Sequence, residues 1–243
     1  MHTLKWAFQT MTEHLPPLLA SAQRSAKQHP DAQGFDAAVK QWDAFVRATK
    51  SRIPGTKYND DTRLATLGTI SPGCQACRRG EWDCYFVTSA CNLNCDFCIS
   101  QKRASVRFQG SNLGADIREN LDLYERLGIN GVSFSGGEAL MEAAHLHSLI
   151  KTCKEDGRLD HIWLYTNGML LDRGIIEHLA AVGLDEIRFN AAASGYQHPH
   201  ILAMIEYAAK KLAWITVEIP LLPSDHNLLL ESLKIWEQAG VDR

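Results

Sequence analysis

Cys91-Asn92-Leu93-Asn94-Cys95-Asp96-Phe97-Cys98 sets three thiols at the spacing C-x3-C-x2-C. The stretch follows close on Tyr85-Phe86-Val87-Thr88, an aromatic and β-branched run that reads as a strand. Three neighbouring cysteines supply three thiolates. A cubane iron–sulfur cluster has four irons, so one iron is left without a protein ligand. A structural metal site is normally closed, and an open position marks a reactive one. The competing use of the same thiols is a four-thiolate zinc site that joins the pair Cys74 and Cys77 to Cys95 and Cys98 and leaves Cys91 idle.

Working outward from the triad, the chain from residue 83 onward alternates. Short β-rich runs are expected at 83–89, 131–136, 161–166, 186–190 and 214–219. Helix-length segments separate and follow them at about 115–127, 140–156, 172–182, 197–212 and 226–239. Strand then helix, repeated five times, implies right-handed βαβ units and a parallel sheet. The joints repeat as well. Leu127-Gly128-Ile129-Asn130 and Val182-Gly183-Leu184-Asp185 each place a glycine where a helix C-cap would lie, with the next strand directly behind it. Ala239-Gly240-Val241-Asp242-Arg243 is the same joint with nothing after it. A sixth strand is therefore expected to follow, and the chain reads as truncated or continued elsewhere.

The strands alternate in polarity with period two. Ile187 and Phe189 stand against Glu186, Arg188 and Asn190; Val132 and Phe134 against Ser133 and Ser135; Ile162 and Leu164 against Trp163, Tyr165 and Asn167; Ile215, Val217 and Ile219 against Trp214, Thr216 and Glu218. A closed barrel fills its interior with apolar side chains. A polar interior is costly unless something pairs with it. The expectation is thus a partial, open (β/α) barrel that holds a ligand.

Residues 1–70 read as a helical N-terminal extension and linker, and 71–243 as the barrel, with 71–84 an upstream cysteine loop. In the extension Phe35, Val39, Trp42 and Val46 make one amphipathic face that Asp36 could cap, and 56–70 looks like a connecting loop. Arg47, Lys50, Arg52 and Lys57 form a small basic cluster, read as a solvated helix end. The 243 residues are 45% apolar with a formal net charge of −3, enough for a sizeable core and no argument for nucleic-acid or membrane partners. No apolar run approaches a spanning length and no signal peptide is legible. Of the 7 cysteines, all but Cys153 lie between 74 and 98. Such clustering favours metal binding in a reducing cytoplasm over a disulfide framework. Cys153 itself reads as a plain core thiol.

The cysteine spacing, with Phe97 just before the last cysteine, resembles the signature of the radical S-adenosylmethionine (radical SAM) superfamily. Ser135-Gly136-Gly137-Glu138 at the end of the second strand resembles that family's glycine-glycine-glutamate motif, and Tyr165-Thr166-Asn167-Gly168 ends the third as in many members. The resemblance covers roughly 80–240. It implies that Cys91, Cys95 and Cys98 hold a [4Fe–4S] cluster whose open iron chelates SAM. It further implies that Gly136 and Gly137 let the backbone approach SAM, that the Glu138 region takes its ammonium, and that Phe97 lies near the adenine. Asn167 belongs to the same cofactor site. Asn190 suits a ribose hydroxyl, and Arg188 is the candidate partner of the SAM carboxylate.

Cys74, Cys77 and Cys84 form a second group of thiols, a candidate for a further metal or auxiliary cluster. This upstream loop has a partial likeness to one in radical SAM protein-modifying enzymes. His145 and His147 point different ways on a helix and make a poor metal pair, and a site at His198-Pro199-His200 is a remote option. The expected activity is reductive cleavage of SAM and hydrogen abstraction from a substrate, ranked first as a peptide or protein because an open lumen admits a large partner. An electron donor such as ferredoxin or flavodoxin is implied. A small-molecule radical enzyme or a glycyl-radical activase is the alternative within the class. Outside it stand a zinc-binding structural or interaction protein and an inactive fragment whose barrel cannot close.

Overall fold

The computed structural model describes residues 68–98, 116–220 and 222–241, with scattered positions between 37 and 66. The chain divides into two compact units, residues 1–70 and 71–243. In the first, β1 (Lys57–Asn59) and β2 (Leu64–Thr66) pair antiparallel with Lys57 opposite Thr66, where a connecting loop is expected from sequence. The short runs carry Tyr58 and Leu64–Ala65 between turn-forming residues, enough for a ladder of three pairs. The amphipathic face at Phe35, Val39, Trp42 and Val46, the cap Asp36 and the basic residues Lys50 and Arg52 lie outside the described residues.

The second unit opens with a helix, α1 (Pro72–Arg79), where an irregular cysteine loop is expected. The signals for it are local. The Ser71 hydroxyl accepts from the Cys74 N–H at 3.2 Å, Pro72 occupies the first turn, and Gly80 closes the helix in the left-handed conformation. Then come β3 (Trp82–Thr88), α2 (Ile117–Leu127), β4 (Gly131–Gly136), α3 (Ala143–Asp156), β5 (His161–Thr166), α4 (Arg173–Ala181), β6 (Glu186–Phe189), α5 (Pro199–Ala208), β7 (Trp214–Val217) and α6 (His226–Gln238). Short 3-10 turns, Ala139–Glu142, Ala191–Ser194 and Pro223–Asp225, stand at the tops of β4, β6 and β7. The five strands β3 to β7 pair in chain order, all parallel, which is the partial (β/α) barrel expected from the alternation.

The period-two split assigns the two faces of the sheet. Tyr85, Val132, Phe134, Ile162, Leu164, Ile187, Phe189 and Ile215 pack outward under the helices in one apolar core that also takes Leu121, Leu146, Ile150, Ile176 and Ile205. Cys153 is fully buried there, and burial pushes its thiol up to about 12, so it stays protonated and inert. The inner face is filled differently from the expectation, because its lower half is paired with itself. Glu186, fully buried, accepts from His161 Nε2 at 2.8 Å, Arg188 Nε at 2.8 Å and Thr216 Oγ1 at 2.7 Å. Trp163 stacks between this cluster and Trp82. α1 closes the lumen from below, and Gly73 lets it approach closely, since a Cβ there would stand 2.6 Å from Arg188 Nη2 and displace it.

Candidate active site

The motif segments all leave the sheet at its C-terminal edge, where ligands of parallel α/β sheets bind. The triad loop begins three residues after β3. Its anchor is the glycine pair. Gly136 has φ +126°, and a Cβ on it would lie 2.2 Å from the Thr88 carbonyl oxygen. A Cβ on Gly137 would lie 2.1 Å from the Ala90 carbonyl oxygen. Two short hydrogen bonds use that closeness, Gly137 N–H to Thr88 O at 2.8 Å and Glu138 N–H to Ala90 O at 2.7 Å. In this structure the backbone that the two glycines approach is therefore the base of the cysteine loop itself.

Glu138 is 1% exposed. Its carboxylate accepts from the Leu140 N–H at 3.2 Å, the Thr166 hydroxyl at 2.8 Å and the Asn167 N–H at 2.7 Å. Burial pushes its carboxyl up, and these three donors act against that without fully offsetting it. The side chain thus joins the top of β4 to the top of β5. Asn167 continues the connection. Its Oδ1 accepts from the Met169 N–H at 3.0 Å, and its Nδ2 donates to Asn92 Oδ1 at 2.8 Å and lies 3.9 Å from Cys91 Sγ. Asn190 N–H then bonds Thr166 O at 2.9 Å, tying the top of β6 to β5. Asn190 Oδ1 is buried and has no hydrogen-bond partner among the described residues.

Beside this edge lies a cavity of about 750 Å³. One wall is the cysteine loop, Leu93 to Phe97; the other is Ala192, Ala193, Leu222, Ser224 and Asp225. Cys91 and Cys95 are half-buried and Cys98 is exposed. A soft three-thiolate donor set, an adjacent cavity of ligand size and an orphaned buried amide oxygen together fit a cluster that carries an organic ligand.

The structure gives Arg188 a different role from the expected one. All five of its N–H groups are committed: Nε to Glu186, Nη1 to the Tyr165 hydroxyl and to Glu218, both at 3.0 Å, and Nη2 to Ser71 at 3.3 Å and Glu186 at 3.5 Å. Burial alone would push the Glu186 carboxyl up, but the His161 hydrogen bond, the Arg188 charge and the Thr216 hydroxyl hold it below the usual carboxylate range. Arg188 seals the lumen base and has no donor left for a SAM carboxylate. Sequence reasoning sees its lumen-facing period but not its partners.

The upstream cysteines are also placed differently. Cys74 and Cys77 lie on α1, beneath the strands, where Ala76 packs against Gly131 at the start of β4. The triad lies beyond the other end of β3, a strand of 7 residues, so about 20 Å separates the two sets. The four-thiolate zinc site cannot form across that span. Cys84 sits within β3, where burial raises its thiol and the Ser133 and Ser135 hydroxyls oppose the rise. Among the described residues no three His, Cys, Asp or Glu side chains are gathered around one metal position, and this holds for Cys91, Cys95 and Cys98 as it does for Cys74, Cys77 and Cys84. The triad is set apart by its spacing and its place at the rim, and a second metal at the upstream cysteines is not shown. Among the same residues no helix is long and apolar enough to cross a membrane.

The sequence model of the radical SAM superfamily matches residues 85–210, just over half of the chain. The chain belongs to the radical SAM superfamily of enzymes. A Methanocaldococcus jannaschii protein with the provisional name glycyl-radical enzyme activating enzyme is 27% identical over 171 residues, 67% of this chain and 46% of that protein. The GTP 3′,8-cyclase of Chlorobaculum tepidum is 31% identical over 104 residues, 43% of this chain and 30% of that enzyme. The pre-heme d1 synthase of Dinoroseobacter shibae is 25% identical over 167 residues, 65% of this chain and 40% of that enzyme. The chain spans less than half the length of each of these relatives.

Proposed function

We propose that this chain binds a [4Fe–4S] cluster through Cys91, Cys95 and Cys98, binds SAM beside it, and uses the pair to abstract hydrogen from a substrate. The observation that carries the proposal is the joined rim. The cysteine loop, the Gly136-Gly137-Glu138 turn, Asn167 and Asn190 come from four successive strands and are linked by hydrogen bonds, with Asn190 Oδ1 left to accept. When bound, the cluster supplies one electron from a ferredoxin- or flavodoxin-type donor to cleave SAM into methionine and a 5′-deoxyadenosyl radical.

The chain's own contributions follow from its geometry. Cys91, Cys95 and Cys98 would hold the cluster, three thiolates for its four irons. The backbone at Gly136–Glu138 sets the loop's height above the sheet. Phe97, on the cavity wall, offers an apolar face to the adenine, and Asn190 Oδ1 accepts from a ribose hydroxyl. The closed lumen base, from Trp82 and Trp163 to Arg188, keeps water from entering below.

For the substrate we favour a peptide or protein. Among the described residues the inner-face Phe86, Ser135, Tyr165 and Thr216 near the rim are only partly buried, while Tyr85, Phe134, Leu164 and Ile215 just before them in sequence are buried, which supports a lumen that admits a partner from above. The name of the Methanocaldococcus jannaschii relative matches the alternative within the class, a glycyl-radical activase, which would likewise act on a protein. A nucleoside triphosphate, the substrate class in the cyclase's name, would meet Arg188 in the lumen with its donors already taken by described residues.

The test is anaerobic reconstitution with iron and sulfide, then a 5′-deoxyadenosine assay with SAM and dithionite. About four irons per chain and product formation that disappears in Cys95→Ala are expected. Bound zinc, or iron with no SAM cleavage, refutes the proposal.

A further inference from the structure

The side chain of Asn167 is held in one orientation from two directions. Its backbone N–H is gripped by the buried Glu138 carboxylate at 2.7 Å, and its Oδ1 accepts from the Met169 N–H at 3.0 Å. The second bond decides which end of the carboxamide is which, because a backbone N–H can only be met by the oxygen. The Nδ2 group must therefore face the cysteine loop. One of its hydrogens goes to Asn92 Oδ1 at 2.8 Å, and Cys91 Sγ lies 3.9 Å away for the other. The residue is 7% exposed, so water offers little competition. The same sulfur already accepts from the Leu93 N–H at 3.4 Å.

Groups that hydrogen-bond a metal ligand orient it and tune the metal, and hydrogen bonds to cluster sulfurs help set the reduction potential. An N–H aimed at a thiolate sulfur stabilises the extra negative charge of the reduced cluster and raises its potential. We infer that Asn167 is a positioning residue for the first cluster ligand: it fixes the Cys91–Asn92 turn and donates to the Cys91 sulfur, making the cluster easier to reduce. The inference rests on the proposed cluster at Cys91, Cys95 and Cys98. It also gives Glu138 a second consequence. A carboxylate at the glycine-glycine-glutamate turn is joined through a single residue to a cluster ligand, so any shift of that turn reaches the Cys91 sulfur through Asn167.

The experiment compares reconstituted wild-type protein with Asn167→Leu, close in shape but without a donor, and Asn167→Ser, which removes the reach. Iron content, thermal melting and the midpoint potential from an EPR-monitored redox titration are read for each. The expected result is an about tenfold shift of the reduction equilibrium against reduction, about 59 mV to the negative for a one-electron couple, in both variants. Loss of iron in both with unchanged melting also supports the inference, since the turn then depends on Asn167 to present Cys91. Wild-type iron content with a wild-type potential in both variants overturns it and leaves the proposed cluster intact. A wild-type chain that takes up no cluster overturns the functional proposal and this inference together.

Discussion

Replacing Gly137 by alanine tests whether the glycine pair exists to seat the cysteine loop. The new Cβ would meet the Ala90 carbonyl oxygen at 2.1 Å, the Ala90 carbonyl carbon at 2.6 Å and the Ser89 carbonyl oxygen at 2.8 Å. All three are backbone atoms, so no side chain can swing away. Restoring an ordinary contact moves the loop by about 1 Å. That stretches the two hydrogen bonds, now 2.8 and 2.7 Å, beyond bonding range. Overpacking costs about 1–3 kcal/mol, and each lost hydrogen bond about 0.5–1.5 kcal/mol. Together these give about 2–6 kcal/mol, against a total stability of about 5–15 kcal/mol for a domain. Gly128→Ala is the control. Gly128 also has a positive φ, +70°, but nothing lies within 4 Å of its Cβ position. It should lose only the left-handed backbone preference, about 1–2 kcal/mol. Urea unfolding of both variants measures the difference, and iron retained after anaerobic reconstitution measures the loop. Gly137→Ala should be the less stable and should lose iron while Gly128→Ala keeps it. Equal stability and equal iron in the two variants would refute the reasoning.

Two further predictions concern the lumen base and the rim. Glu186 has a folded-state pKa held below its ordinary value, so its contribution is fully present above about pH 4.3 and is lost as pH falls through the folded value. Glu186→Gln should lower stability at pH 7 by about 3–5 kcal/mol, the loss for breaking a buried ion pair, and the gap to wild type should close in acid. Chemical unfolding from pH 7 to pH 3 checks this, and a constant gap would contradict the assignment. Asn190→Ala should weaken SAM binding up to about tenfold, the equivalent of one hydrogen bond of about 1.4 kcal/mol. Equilibrium dialysis with SAM on the reconstituted protein reads it, and unchanged affinity would remove Asn190 from the site.

Much of this protein is legible before any coordinates. The cysteine spacing depends on the valence of iron and the number of thiolates, which are local facts. The parallel sheet follows from alternation along the chain, because period two and the glycine at a helix end are set by neighbours in sequence. The alternation also separates Ile187 and Phe189 from Glu186 and Arg188 correctly. Even α1 has its signals in plain view, with Ser71, Pro72 and Gly80 at its ends, although the cysteines between them suggest a metal loop.

Only the tertiary structure decides which group each polar side chain meets. Arg188 reads as a free cation for SAM, yet five acceptors from Ser71, Tyr165, Glu186 and Glu218 converge on it from widely separated parts of the chain. Cys74 and Cys77 stand 14 and more residues from Cys91 in sequence, but a strand carries them to the far end of the sheet. The Gly136–Gly137 pair announces a close approach, and the fold identifies the approaching backbone as Thr88–Ala90. Asn167 reaches Cys91 only because β4 and β5 are neighbours and Glu138 bridges their tops. Valence, period and cap chemistry act over a few residues and can be read along the chain. Hydrogen-bond partners and burial depend on which strands end side by side, and that is settled only when the sheet is assembled.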